Sequence, residues 1–179
     1  LPVDSGSVAG VPVERSFVFQ DPALLPWLTV AQNVELPRSL GGRAGAASET
    51  LRWVGLSDQS EKLPAALSGG QRMRVSLARA LFSEPEILFL DEPFAALDVR
   101  TRREMHDLVL AKSIGRTVIL VTHDLADAAR LADRVLLVDG PPLSVMIDLT
   151  VPFSHPRSPH QIASVVAQVE EATAALADG

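Results

Sequence analysis

Apolar residues along this chain fall into two rhythms, and the change between them organises it. Ile87 to Leu90, Val118 to Val121 and Val135 to Val138 are unbroken apolar runs of strand length, set within wider strands at 86–91, 117–122 and 134–139. Runs apolar on both faces suit a parallel sheet covered on each side. Between them, 98–112 and 124–132 carry helical spacing, so strands alternate with helices as in an α/β fold. Residues 72–82 also repeat at helical spacing through Val75, Leu77, Ala78 and Leu81, after an opening at Leu67-Ser68-Gly69-Gly70-Gln71, and Pro85 marks the end.

The first half is less regular. Residues 3–13 read as short strands and turns, and 16–20 as a brief strand ending on a polar residue. A short helical pattern follows at 30–36, a Gly-rich loop at 41–47, and a helix at 48–54 with Ser48 as N-cap and Gly55 as its stop. Residues 160–175 form one amphipathic helix. The chain thus reads as a single domain, with 1–20 and 84–150 as an α/β body, 21–83 as an inserted helical subdomain, and 151–179 as a C-terminal tail and helix.

Composition narrows the function. The chain has 179 residues, 47% hydrophobic and 21% charged, which suits one globular domain. No apolar run approaches the roughly 18 residues of a bilayer span, so attachment to a membrane would pass through a partner. Cysteine is absent, which excludes disulfides and thiolate metal sites. The net charge of −6 argues against a nucleic-acid partner.

Five short elements carry candidate chemistry. Asp91 and Glu92 end an apolar strand, where ligands bind in open α/β sheets. One carboxylate there suits Mg²⁺, which prefers oxygen and keeps several waters, and the other suits a general base. His123, in Thr122-His123-Asp124, ends the next strand, within reach of a terminal phosphate. Ser68, Gly69, Gly70 and Gln71 open a helix, where free N–H groups attract anions. Gln20 ends the strand of Phe17 to Phe19, and Asp98 closes Ala95-Ala96-Leu97-Asp98. Taken singly, each has an ordinary explanation: an acidic turn, a capped helix, a surface glutamine.

Their order changes that weighting. Gln20, Leu67 to Gln71, Ile87 to Glu92, Ala95 to Asp98 and His123 resemble the Q-loop, signature, Walker B, D-loop and H-loop of the ABC ATPases, over about residues 3–139. Met73 stands where many of these proteins carry a polar residue. The resemblance implies a P-loop NTPase-like parallel sheet with an inserted helical subdomain, and a head-to-tail dimer that holds ATP between two subunits. Asp91 would then position Mg²⁺, aided by Gln20, and Glu92 would be the general base. His123 would hold the γ-phosphate. Ser68 and Gly70 would contact the partner's ATP within a signature completed by Gly69 and Gln71, and Asp98 would communicate across the dimer.

The run from Phe19 to Val30, then Asn33-Val34, is similar to importers of the nitrate, sulfonate and taurine group, as is Phe94. That resemblance implies a peripheral subunit on the cytoplasmic face of the membrane. It would be docked to a permease through Pro26, Trp27 and Leu28 and served indirectly by a solute-binding protein. Soluble ABC ATPases of DNA repair are the alternative, but only 21–66 separate Q-loop from signature, with no sustained heptads. A non-catalytic partner subunit is a third reading.

The Walker A motif, Gly-x-x-x-x-Gly-Lys-Ser/Thr, is missing. The chain has two lysines, Lys62 and Lys112, and neither sits in such a motif. An N-terminally truncated chain is expected, with the flanks of strands near Leu88 and Leu120 uncovered. These 179 residues alone should therefore bind ATP poorly. Titration of the purified chain with ATP should give no saturation in the micromolar range, and micromolar affinity would refute this reading.

Overall fold

A computed structural model describes residues 10, 12–39 and 46–177. The expected strands and turns at 3–9 and most of the 41–47 loop lie outside the described residues. The chain divides into two compact units, one of residues 1–93 with 115–119 and the other of 94–114 with 120–179.

The first unit is built on strands β1 (Arg15–Val18) and β2 (Ile87–Asp91) and helices α1 (Val30–Ser39), α2 (Ala47–Trp53) and α3 (Gly69–Phe82). β1 and β2 pair in parallel, Arg15 opposite Ile87 and Val18 opposite Leu90. β2 is the middle strand, with β3 (Thr117–Val121) on its other side, entered where the Thr117 amide donates to Glu86 O at 3.0 Å. Leu88 and Leu90 are buried, while Ile87 and Phe89 on the other face are only partly covered. This alternation differs from the expectation of two fully covered faces.

The expectation of uncovered flanks holds for one of its two strands: β2, with Leu88, has a neighbour on each side, whereas β3, with the partly exposed Leu120, is an outer strand of the sheet. Leu88 is buried, and the exposed apolar positions are Phe17, Phe19, Ile119 and Val121. Phe17 stacks on Phe89 across the strand pair, centroids 4.5 Å apart.

Helix α3 supplies most of the first unit's core. Met73, Val75, Leu77, Ala78, Leu81 and Phe82 are all buried, and α3 packs against β1, α1 and α2. A fully buried side chain of this size contributes about 1.5–3 kcal/mol, so this one face outweighs any surface contact in the unit. Met73 fills core space, a packing role for the one departure from the usual pattern. Helix α2 begins at Ala47, one residue earlier than expected. Ser48 therefore lies inside its first turn, and the N-cap Ala46 has no side-chain cap bond. Gly55 does end the helix, at φ 65°.

The second unit contains α4 (Val99–Lys112), α5 (Leu125–Leu131), β4 (Arg134–Asp139), β5 (Ser144–Thr150) and α6 (Pro159–Ala177). Read as a third strand of a parallel sheet, 134–139 is instead half of an antiparallel hairpin with β5. Period-two patterning cannot choose a partner, and β5 itself, Ser-Val-Met-Ile-Asp-Leu-Thr, has too little alternation to stand out. Ala129, Val135, Val151, Val165 and Val169 form the core here.

Arg157, buried, is the polar centre of that packing. Its Nη1 donates to Ala129 O at 2.9 Å and Ala132 O at 2.8 Å, and its Nε to Phe153 O at 3.0 Å. It thereby satisfies carbonyls at the end of α5 that no further helical turn would reach. Arg157→Met should lower stability by about 3 kcal/mol, because it orphans buried carbonyls. Arg134→Met, which breaks only an exposed pair with Asp148, should leave the urea midpoint nearly in place. Equal shifts for the two variants would refute this assignment.

Candidate functional site

The parallel register sets what shares the sheet end with the strand-end carboxylates. The last pair of the register is Val18 with Leu90, so the chain leaves β1 toward Gln20 at the same end of the sheet at which β2 runs into Asp91 and Glu92. Asp91 and Gln20 are exposed, and Glu92 is partly so. Glu92 adopts φ 46°, in the left-handed region. A residue with a Cβ pays about 1–2 kcal/mol for that backbone, and Pro93 follows directly. Strain of this kind is retained where a side chain must be aimed.

Among the described residues no group of three or more His, Cys, Asp or Glu side chains is arranged to hold a metal ion. Mg²⁺ does not require one, since it is commonly held by one or two carboxylates together with substrate phosphates and water. An exposed Asp91 carboxylate at the end of β2 fits that donor set.

The pentapeptide of the sequence reading opens α3 with a reciprocal cap. Ser68 Oγ accepts from the Gln71 amide at 3.2 Å, and Gln71 Oε1 accepts from the Ser68 amide at 2.9 Å. This capping box explains Gln71 structurally. It also leaves the Ser68 hydroxyl proton available to donate outward. A Cβ built on Gly69 would meet nothing nearer than Arg72 Nη2 at 4.0 Å. The fold itself does not require glycine there, so the open approach to the backbone is what the residue supplies.

Asp98 and His123 belong to the second unit, and both are exposed. Asp98 caps α4, accepting from the Arg100 and Thr101 amides at 3.1 and 3.0 Å. The Thr101 amide and hydroxyl, with the Arg100 amide, hold its carboxyl below the usual range. His123 precedes Asp124, the N-cap of α5. Asp124 accepts from the Ala126 amide at 2.9 Å and from Arg102 Nη1 of α4 at 2.6 Å. Behind it, His106 Nε2 lies 2.9 Å from Asp127 Oδ1, both buried, and Phe94 meets the His106 ring edge-on at 4.5 Å. The distance is that of an ion pair, but the imidazole is not aligned for a hydrogen bond. Arg102 was not legible beforehand. Its only signal is an Arg one turn into a helix that begins at Asp98.

The segment after Gln20 is held from two sides. Arg79 of α3 donates to Ala23 O and Pro22 O, both at 2.9 Å. Asn33 of α1, with no exposure at all, bonds the backbone of Leu25, Leu28 and Thr29. Pro26 and Trp27 occupy the turn closed by the Leu28 amide on Leu25 O, and Trp27 is 70% exposed.

A capped Leu-Ser-Gly-Gly-Gln helix start, followed in the chain by a strand that runs into Asp91 and Glu92, is the arrangement of an ABC cassette. Residues 4–95 match the family described as ABC transporter, and the chain belongs to that family. It is similar to the aliphatic sulfonates import ATP-binding protein SsuB of Pseudomonas putida, 48% identical over 161 residues, which cover 87% of this chain and 58% of that protein. An aliphatic sulfonates import ATP-binding protein SsuB 2 of Frankia alni is 49% identical over 162 residues, covering 88% of this chain and 65% of its own length. The chain thus spans less than two thirds of these relatives. Among solved structures it resembles a dimeric, post-hydrolysis state of the ATP-binding cassette MJ0796 bound to ADP and Pi. The TM-score is 0.68 and the identity 34%, over 79% of this chain and 64% of that one. The α/β cassette expected from the sequence is therefore present.

The Asp124 cap has a pH signature. Burial pushes its carboxyl up, but the Ala126 and Asp127 amides and the Arg102 guanidinium outweigh that and hold it below its ordinary value. Its stabilising contribution is full above the unfolded value near about 3.9 and is lost as pH falls through the lower folded value. Asp124→Asn can still cap α5 but loses the charged partner of Arg102; it should cost about 1 kcal/mol at neutral pH, and its unfolding midpoint should converge on that of the native protein toward acid. A constant gap across the pH range would contradict the role of the carboxylate charge.

Proposed function

We propose that the protein carrying this chain is the ATP-hydrolysing subunit of an ABC importer for a small solute of the nitrate, sulfonate or taurine kind. The observation that carries this reading is the pairing of strand-end Asp91 and Glu92 with an outward-facing signature helix start. The names of the relatives, import ATP-binding proteins for aliphatic sulfonates, support the transport role and the solute class. The Gly-x-x-x-x-Gly-Lys-Ser/Thr loop that cradles a bound nucleotide is not among these 179 residues, so the roles below concern the whole protein.

Glu92 takes a proton from water as its oxygen attacks the γ-phosphorus of ATP; the bond to the γ-phosphorus forms and its bond to the bridging oxygen breaks, leaving ADP and phosphate. Asp91, aided by Gln20, would hold Mg²⁺, which would supply charge neutralisation on the phosphates. His123 donates a hydrogen bond to the γ-phosphate. Ser68 and the Gly69–Gly70 backbone present donors to the ATP of a second subunit, as anions are held at helix starts, and Asp98 communicates across the dimer. The dimeric state of the MJ0796 cassette supports such a pair.

Pro26, Trp27 and Leu28 form the contact with a membrane permease, and a solute-binding protein delivers cargo on the far side. No described helix is long and apolar enough to cross a membrane, which suits peripheral attachment at the cytoplasmic face. A DNA-repair role is disfavoured by the relatives and by the acidic charge.

Glu92→Gln in the whole protein should retain ATP binding and lower the hydrolysis rate by about 10²–10⁴-fold. Hydrolysis within a factor of a few of the native rate would remove Glu92 as the base.

A further inference from the structure

The loop between Gln20 and Thr29 lacks the features of a mobile connection. At its far end, the buried Asn33 amide spends its whole bonding capacity on it: Oδ1 accepts from the Leu25 amide at 2.8 Å, and Nδ2 is shared among Leu25 O, Leu28 O and Thr29 O at 3.0–3.1 Å. Thr29 and Gln32 then cap the start of α1 reciprocally, at 2.8 and 3.2 Å. At the near end, the Arg79 fork reaches two successive carbonyls, and Ala23 between them sits at φ 47°. An alanine in the left-handed region is unfavourable by about 1 kcal/mol or more, so the surrounding bonds must hold it there. A guanidinium does this with two parallel donors, where an ammonium would reach one carbonyl at a time.

Arg79 stands ten residues after Gly69 on the same unbroken helix, about 15 Å along its axis. Its guanidinium is partly buried, and burial lowers its proton affinity. An arginine placed there forfeits hydration to reach a loop 56 residues away in sequence. Surface solubility does not explain that.

We propose that Arg79 is a positioning residue that fastens the loop after Gln20 to helix α3, so that displacement of the loop by a docked partner is delivered to Ser68–Gln71 at the start of the same helix. Asn33 holds the other end and presents Trp27 in a pre-formed turn. The transmission half of this inference rests on the importer reading above, and the fastening half does not.

Amide hydrogen exchange on the whole protein tests the fastening. Arg79→Met, which keeps the apolar stem, should speed exchange at Ala23 and Leu24 about tenfold or more, with α3 and the Asn33-held Leu25 amide unchanged. Asn33→Ala should instead release Leu25. Unchanged exchange at Ala23 and Leu24, or loosening spread through α3, would overturn the proposal; Arg79→Lys, with its milder change, provides the same readout if the methionine variant does not fold. Transmission is read in vesicles carrying the permease. Arg79→Met should reduce solute-dependent stimulation of hydrolysis by about fivefold or more, with partial rescue in Arg79→Lys. Native-like stimulation in Arg79→Met would overturn transmission. Absence of stimulation in the unmodified complex would overturn the importer reading, and transmission with it, while the exchange result still decides the fastening.

Discussion

The buried face of α3 is the constraint on which the first unit depends. Seven apolar side chains from Met73 to Phe82 are removed from water along one helix, and α1, α2 and β1 all pack against that helix. Its ends and its remaining faces are therefore free for other work. The N-terminus is closed by a side-chain cap instead of by neighbouring chain, which leaves Gly69 and Gly70 open to approach. The partly exposed face carries Arg74, bonded to Val54 O at 2.8 Å, and Arg79, bonded to the loop after Gln20.

In the second unit the same economy appears in polar form. Asp98 and Asp124 are both N-caps, each spending its carboxylate on amides that the helix leaves unpaired. Asp124 also binds Arg102 of α4, so the helix that begins at Asp98 and the turn that carries His123 are tied through one guanidinium. Beneath lies the His106–Asp127 contact, closed to water and covered by Phe94. The exposed His123 thus sits on a turn whose geometry is set by the partners beneath it.

Much of this was readable beforehand where the signal was local. Helix α4 with its Asp98 cap, helix α3 with its Ser68 opening and strand β2 with its carboxylates each occupy a short contiguous stretch whose residue types dictate the backbone. Failures came where the deciding partner was distant. The run 134–139 looked like any other apolar strand, but its pairing with β5 makes it a hairpin. Ser48 looked like a cap, but Ala47 already continues the helix, since packing of Leu51 and Thr50 sets where α2 starts. The stretches 3–9 and 41–45 lie outside the described residues.

By itself the sequence determined the chemistry at hand: which carboxylates end a strand, which glycines open a helix, and the order of those elements along the chain. These are properties of adjacent residues, and backbone preference and side-chain type settle them within a few positions. Only the tertiary structure decided that β1 and β2 leave the sheet at the same end, that Arg79 clasps Pro22 and Ala23, that Asn33 pins the turn carrying Trp27, and that Arg102 reaches Asp124. Each joins groups that no local preference links. The register between β1 and β2, or the packing of one helix on another, fixes them, because hydrogen-bond geometry tolerates only a fraction of an ångström and the folded backbone alone can supply it.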